Sequence, residues 1–417
     1  MLKTPIARGV ALATLGATLA IPTMAQAAFV DDSKVNLELR NFYFNGDNRD
    51  ESATPASSKD EEWAQGFILR AESGYTEGTV GFGVDALGLL GVKLDSSRNR
   101  TGTGLLPIDS NGTAPDEYSE LGLTAKAKVS NTVLKIGTLE PKNMAVARSD
   151  SRLLPQTFKG GQIISNEIKG LTLDAGYLTE VNQRNDSHYE DITASLNGGS
   201  LGGGEIDNLI FAGASYKLLD NLTGSYYFSN LEEAYKQHSF NLVHVQPLGN
   251  DQSLKTDLRY ARSTDDGSSD VDNKAYGAMF TYSVSGHSFG LGYQEMKGDT
   301  GFAYVGGGTD PYLVNYVMIG ADFAKADEES WQARYDYNFA AMGIPGLTFM
   351  TRYVTGDNFG ANGRGKEWER DTDIGYVFQE GALKNLGVKW RNGTYRSNID
   401  REVDQNRLIV SYTIPLM

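Results

Sequence analysis

Residues 330–357 set the pattern that the rest of the chain repeats. Trp331, Ala333, Tyr335, Tyr337 and Phe339 alternate with Gln332, Arg334, Asp336 and Asn338. A period of two places one set on each face of a β-strand. A turn containing Gly343, Pro345 and Gly346 leads into a second arm, where Leu347, Phe349 and Tyr353 alternate with Thr348 and Arg352. The unit is a hairpin with one aromatic face and one polar face. Met350 and Val354 break the pattern by falling on the polar side. The same alternation runs through Val35 to Phe44 and through Glu120 to Val129, where Leu121, Leu123 and Ala125 oppose Thr124, Lys126 and Lys128. It returns in the last strand as Leu408, Val410, Tyr412, Ile414 and Leu416.

Counted along the chain, this predicts about eighteen strands. Short turns such as Ser130-Asn131, Lys169-Gly170 and the one about Gly286 alternate with long loops. Leu139 to Gly161 mixes Leu153, Leu154 and Phe158 with Arg148, Asp150 and Arg152, and a loop this long and apolar has to pack against something. Gly298 to Glu329, which holds Tyr304, Asp310 and Tyr312, is a second irregular stretch. Asn185 to Glu205 reads only as a Gly-rich loop. Strands with one greasy face, alternating short and long connections and an even count predict an all-β fold: a transmembrane antiparallel β-barrel. Closure supplies every backbone hydrogen bond that lipid cannot.

The first residues set the compartment. Lys3 and Arg8, the apolar run from Val10 to Ile21, and Ala25-Gln26-Ala27 read as a signal peptide over 1–27, cleaved between Ala27 and Ala28. Residues 28–417 then form a single barrel domain. Removing Lys3 and Arg8 leaves 36 basic against 53 acidic residues, a net charge of −17. That excludes a nucleic-acid binder. The absence of Cys excludes thiol chemistry and a disulfide scaffold. No cofactor is implied. His188, His238, His244 and His287 lack metal-ligand spacing, and the acidic turn at Asp265, Asp266, Asp270 and Asp272 lacks an EF-hand pattern. Gly286 to Gly290 and Gly198 to Gly202 match G-x-S-x-G without the strand–turn–helix a nucleophile elbow needs.

With the greasy face toward lipid, the lumen receives Arg40, Arg70, Lys126, Lys128, Lys135, Arg259, Arg334, Arg352, Lys389, Arg391 and Arg407. It also receives Glu38, Glu72, Asp257 and Asp336. Bases outnumber acids among these positions, so the acidic excess is expected in loops and rims. Closure of the last strand on the first would gather Arg40, Arg70, Arg334, Arg352, Lys389, Arg391 and Arg407 into a basic stripe that attracts anions. Some of these bases brace the wall against acids, as Asp257 does beside Arg259.

Residues 329–358, ESWQARYDYNFAAMGIPGLTFMTRYVTGDN, closely resemble the OprD-like substrate-specific porins of Gram-negative bacteria. So do LELRNFYFN (37–45), SRLLPQTFKGG (151–161), YYFSNLEEAYKQ (226–237) and NRLIVSYTIPL (406–416). The resemblance implies a monomeric eighteen-stranded barrel in the outer membrane, with lipid and lipopolysaccharide around it and the barrel-assembly machinery as a partner in biogenesis. It implies that the loops Leu139 to Gly161 and Gly298 to Glu329 fold inward to form the constriction. It further implies a ladder of lumenal bases and passive uptake of small carboxylate solutes. Arg40 and Arg407 match the ladder directly. Lys389 and Arg391 stand at the family's Arg-x-Arg position, with Lys in place of the first Arg. The rival readings are an outer-membrane barrel hydrolase and a non-conducting adhesin or structural barrel.

Overall fold

The computed structural model describes residues 29–49, 58–197, 201, 206–319 and 322–417. The leader and its cleavage site lie outside them. Twenty-one strands follow in order: β1 (Lys34–Asn48), β2 (Lys59–Glu72), β3 (Gly81–Ser96), β4 (Glu117–Val129), β5 (Thr132–Leu139), β6 (Thr157–Ser165), β7 (Leu171–Asn182), β8 (Tyr189–Asp191), β9 (Ala194–Leu196), β10 (Leu209–Leu219), β11 (Leu222–Leu231), β12 (Tyr235–Gly249), β13 (Gln252–Asp265), β14 (Asp272–Val284), β15 (His287–Lys297), β16 (Ala303–Val305), β17 (Glu329–Asn338), β18 (Leu347–Phe359), β19 (Gly365–Val377), β20 (Gly387–Ser397) and β21 (Val403–Pro415).

Eighteen of these form the wall. β8 only extends β7, while β9 and β16 pair with each other apart from the main sheet. Each wall strand is antiparallel to its neighbours, and β1 pairs with both β2 and β21, so the sheet closes. Closure removes the exposed edges that an open sheet of this size would present. Leu121, Phe82, Phe280, Leu291 and Trp331 stay exposed on the outer face, where alternation put them. Two-residue turns close one end of the barrel, as at 130–131 and 285–286.

Four connections at the other end send their described residues into the barrel: L2 (97–116), L3 (140–156), L4 (183–197, 201 and 206–208) and L7 (298–319 and 322–328). Leu105 and Leu106 of L2 pack with Leu153 and Leu154 of L3 against Phe42 and Ile68 of the wall. Met144 and Val146 of L3, Ile192 of L4 and Val305 of L7 pack against Leu178, Leu209, Phe211, Leu231 and Tyr235. The protein's apolar core therefore lies inside the barrel and fills the lumen along β6 to β12. Open space is left along the wall from β18 through closure to β1, and a smaller space of about 290 Å³ lies beside β2 to β6. L4, which reads in the sequence only as a Gly-rich loop, joins the packing because its β9 pairs with β16 of L7. Val354 also finds its reason here. Val354 is fully buried against Val317 and Phe323 of L7, so the register of the hairpin stands and the lumen is apolar at that point.

Glycine is required where the wall bends beside L3. Gly137 has φ +135°, and a Cβ there would lie 2.1 Å from the Leu123 carbonyl oxygen. Only a residue without Cβ fits such a backbone approach.

Candidate permeation pathway

Closure gathers the bases as alternation predicted. Arg391 sits directly opposite Arg407 and Arg334 opposite Arg352, while Arg407 faces Phe44 across the β1–β21 seam. Like charges placed opposite each other repel, so their counter-charges decide what the wall can do. Arg334 pairs with Asp336 at 2.7 Å, Arg352 with Asp371 at 2.7 Å and Arg391 with Asp373 at 3.0 Å.

Two of these acids belong to a row that corrects the expectation that acids sit in loops and rims. Glu367, Glu369, Asp371 and Asp373 all face inward from β19, and the first three are buried. The run E-x-E-x-D-x-D has period two and was legible as an inward acidic stripe. It holds L7. Glu369 accepts the backbone N–H groups of Met318 (3.0 Å) and Ile319 (2.8 Å), and Glu367 pairs with Lys325. The bases grip the same loop through its carbonyls: Arg352 donates to Tyr316 O at 2.8 Å and Arg407 to Met318 O at 2.8 Å.

Other bases brace the interior. Arg40 bridges Glu38 and Asp150 and donates to the Arg152 carbonyl, fixing L3 to the wall. Arg70 and Arg148 share Glu140, each at 2.9 Å. Lys126 and Lys135 both reach Asp85, at 2.5 and 3.6 Å. Lys128 lies at the turn end beside the Tyr75 ring. Arg259 stands on the far wall, paired with Asp257 at 3.0 Å, donating to Leu313 O and stacked on Tyr312 at 4.3 Å. It and Tyr312 anchor L7 from behind and are separate from the stripe.

Two chambers follow the stripe. The one nearer the loop end, about 360 Å³, lies between Arg152 of L3, Arg184 of L4, Tyr304, Asp310, Tyr316 and Asp322 of L7, and Arg352, Arg391 and Arg407 of the wall. The one nearer the turns, about 450 Å³, is lined by Glu38, Arg40, Asp150, Thr348, Lys389 and Arg391 among others. Ser151, Arg152 and Arg391 border both, so the two form one path. A groove of about 530 Å³ lies elsewhere, on the barrel face that carries Tyr216, Leu218, Phe240 and Leu242, and takes no part in the path.

Arg184 was not singled out from the sequence. It follows β7 directly and enters the lumen because L4 does, and nothing in its local pattern marks it. Its guanidinium donates to the Ser149 and Ser151 hydroxyls at 3.1 and 2.8 Å. Burial pushes its pKa down. Burial first, then the Arg407 and Arg184 charges, hold Arg152 well below the usual arginine value. Burial also raises the carboxyls of L7: Asp310 moves up, and Asp322 is pushed up to about 7. The Asp322 carboxyl meets the Tyr304 hydroxyl and the Asn197 amide, each at 3.4 Å.

Comparison with known proteins agrees with this architecture. The model of the family described as outer membrane porin, OprD family, matches residues 27–416. Porin D of Pseudomonas aeruginosa is 38% identical over 421 residues, which cover 93% of this chain and 92% of that protein. The crystal structure of Pseudomonas aeruginosa OpdQ is 59% identical and superposes with a TM-score of 0.85, covering 94% of this chain and all of that one. That of Pseudomonas aeruginosa OpdK with vanillate is 39% identical, with a TM-score of 0.86, covering 93% and 100%. The eighteen-stranded barrel, its in-folded loops and these relatives together place the chain in the OprD family of outer-membrane porins.

Proposed function

We propose that this porin passes small carboxylate solutes down their gradients, guided by the basic stripe, and catalyses no reaction. The observation that carries the reading is the placement of open space. Apolar packing fills much of the lumen along β6 to β12, and the two largest inner chambers run beside Arg407, Arg391, Lys389 and Arg40. Guanidinium forks match carboxylates with two hydrogen bonds. In a narrow passage with low-dielectric walls their field reaches further than in water. OpdK, a relative, was crystallised with vanillate, itself a carboxylate. The loops set the size limit and the stripe favours the charge. In the same reading the chain is exported by a signal peptide cleaved between Ala27 and Ala28. It is inserted by the barrel-assembly machinery and works as a monomer among outer-membrane lipid and lipopolysaccharide.

Arg352 and Arg407 also hold L7, so substitutions there mix selectivity with loop position. Lys389 and Arg391 make no contact of that kind among the described residues and give the cleaner test. In planar bilayers, Lys389→Gln with Arg391→Gln should lower the permeability of carboxylates relative to potassium while the channel stays open. An unchanged permeability ratio would refute the role of the stripe.

A further inference from the structure

Most of the inward bases have a carboxylate partner, and three guanidinium groups at the upper chamber do not. Arg152 donates to the Thr103 and Ser151 carbonyls and the Ser151 hydroxyl. Arg184 donates to two serine hydroxyls. Arg407, 1% exposed, donates to Met318 O and the Gln405 side chain. Among the described residues none of the three is ion-paired. The Nε–H groups of Arg184 and Arg407 are buried and have no acceptor. Arg152 and Arg407 lie over the same Phe44 ring, at 5.4 and 4.9 Å. Arg152 lies within electrostatic reach of both Arg184 and Arg407, and the acids of the same chamber, Asp310 and Asp322, hydrogen-bond to Tyr316, Tyr304 and Asn197 and form no ion pair with the three arginines.

Holding like charges together without direct ion pairs costs energy that a bound anion returns. One carboxylate neutralises one of three. Below them the path continues to Arg391 and then to Lys389 and Arg40, so a second anionic group on the same solute also meets bases. The three come from L3, L4 and β21, which ties the preference to how this chain folds its loops. We infer that the upper chamber is a site for solutes carrying two carboxylates, with Arg184 as the residue that sets this preference. The inference rests on the carboxylate reading above and narrows its substrate class.

The test uses the full porin in planar bilayers, with block of single-channel current by succinate compared with butyrate, its monoanionic counterpart of equal carbon number, and with inorganic phosphate. A charge-assisted hydrogen bond contributes about 1.5–3 kcal/mol, so succinate should half-block at a concentration about tenfold or more below butyrate. Phosphate, too compact to span both groups of bases, should block less well than succinate. Arg184→Gln should bring succinate close to butyrate. Arg184→Lys, which keeps the charge and loses the fork, should restore part of the difference. The heat-modifiable band shift on gels checks that each variant forms a closed barrel. Equal block by succinate and butyrate in an anion-preferring channel would overturn this inference and leave the carboxylate reading standing. Phosphate blocking better than succinate would overturn it as well. A channel that neither carboxylate enters would overturn the carboxylate reading itself.

Discussion

Replacing Glu369 with Ala tests how L7 is held. In the native barrel this fully buried carboxyl accepts the N–H groups of Met318 and Ile319 at 3.0 and 2.8 Å. Alanine leaves the Ile319 N–H inside the barrel with no acceptor and the Met318 N–H with only its longer bond to Asp371, at 3.3 Å. A buried unsatisfied donor costs about 1–3 kcal/mol, so the docked loop loses at least about 1 kcal/mol. At about 1.4 kcal/mol per factor of ten, the docked-to-undocked ratio falls roughly fivefold or more. Arg407 grips the same residue through its carbonyl at 2.8 Å, so the two sites should not be additive. The assay is single-channel recording at fixed salt. Glu369→Ala should give larger mean conductance and frequent excursions to a wider state. Arg407→Ala in that background should add less than it does alone. Unchanged conductance and noise in Glu369→Ala, with the barrel folded, would refute the claim that the β19 carboxyls position L7.

Three further outcomes follow from the same geometry. Val354→Asp places a carboxylate in the fully buried contact with Val317 and Phe323, and should loosen L7 in current noise while Val354→Ala has the smaller effect. Burial first, then the neighbouring Glu367 charge, raises Glu328 of L7 from 4.5 to about 9, against the opposing pull of Lys325. The docked loop therefore holds that proton: docking is strongest below about pH 4.5 and weakens as pH rises through about 9. Tyr395 and Asp400 complete the surroundings of Glu367 and Lys325. Open-channel noise should accordingly rise at alkaline pH, and Glu328→Gln should flatten that rise. Gly137→Ala, which forces a Cβ to 2.1 Å from the Leu123 carbonyl oxygen, should impair barrel formation, seen as loss of the heat-modifiable band in membranes.

The wall was legible in the sequence because a lipid-facing sheet leaves its period on every strand. Trp331 to Asn338 and Leu121 to Val129 could be assigned to faces residue by residue. The stripe was legible in the same way, since closure is an inference from strand order alone. What the loops do was less legible. Arg184 and Asp322 lie in stretches without period, and their positions depend on the β9–β16 pairing between L4 and L7, which local sequence does not encode. The β19 acids were readable, but the excess of bases over acids among the other inward positions sent the chain's acidic surplus to loops and rims. Inside a barrel whose own core is apolar, a buried carboxyl is the acceptor that a loop backbone needs. The Val354 break follows from that core too, because an inward position beneath a packed loop is an interior position.

The most direct test of the account is uptake by proteoliposomes of gluconate against glucose, a pair of similar size in which one member carries a carboxylate. The basic stripe predicts faster entry of gluconate, with the advantage reduced in the Lys389→Gln, Arg391→Gln double variant. Equal entry of the two solutes, or faster entry of glucose, would contradict it.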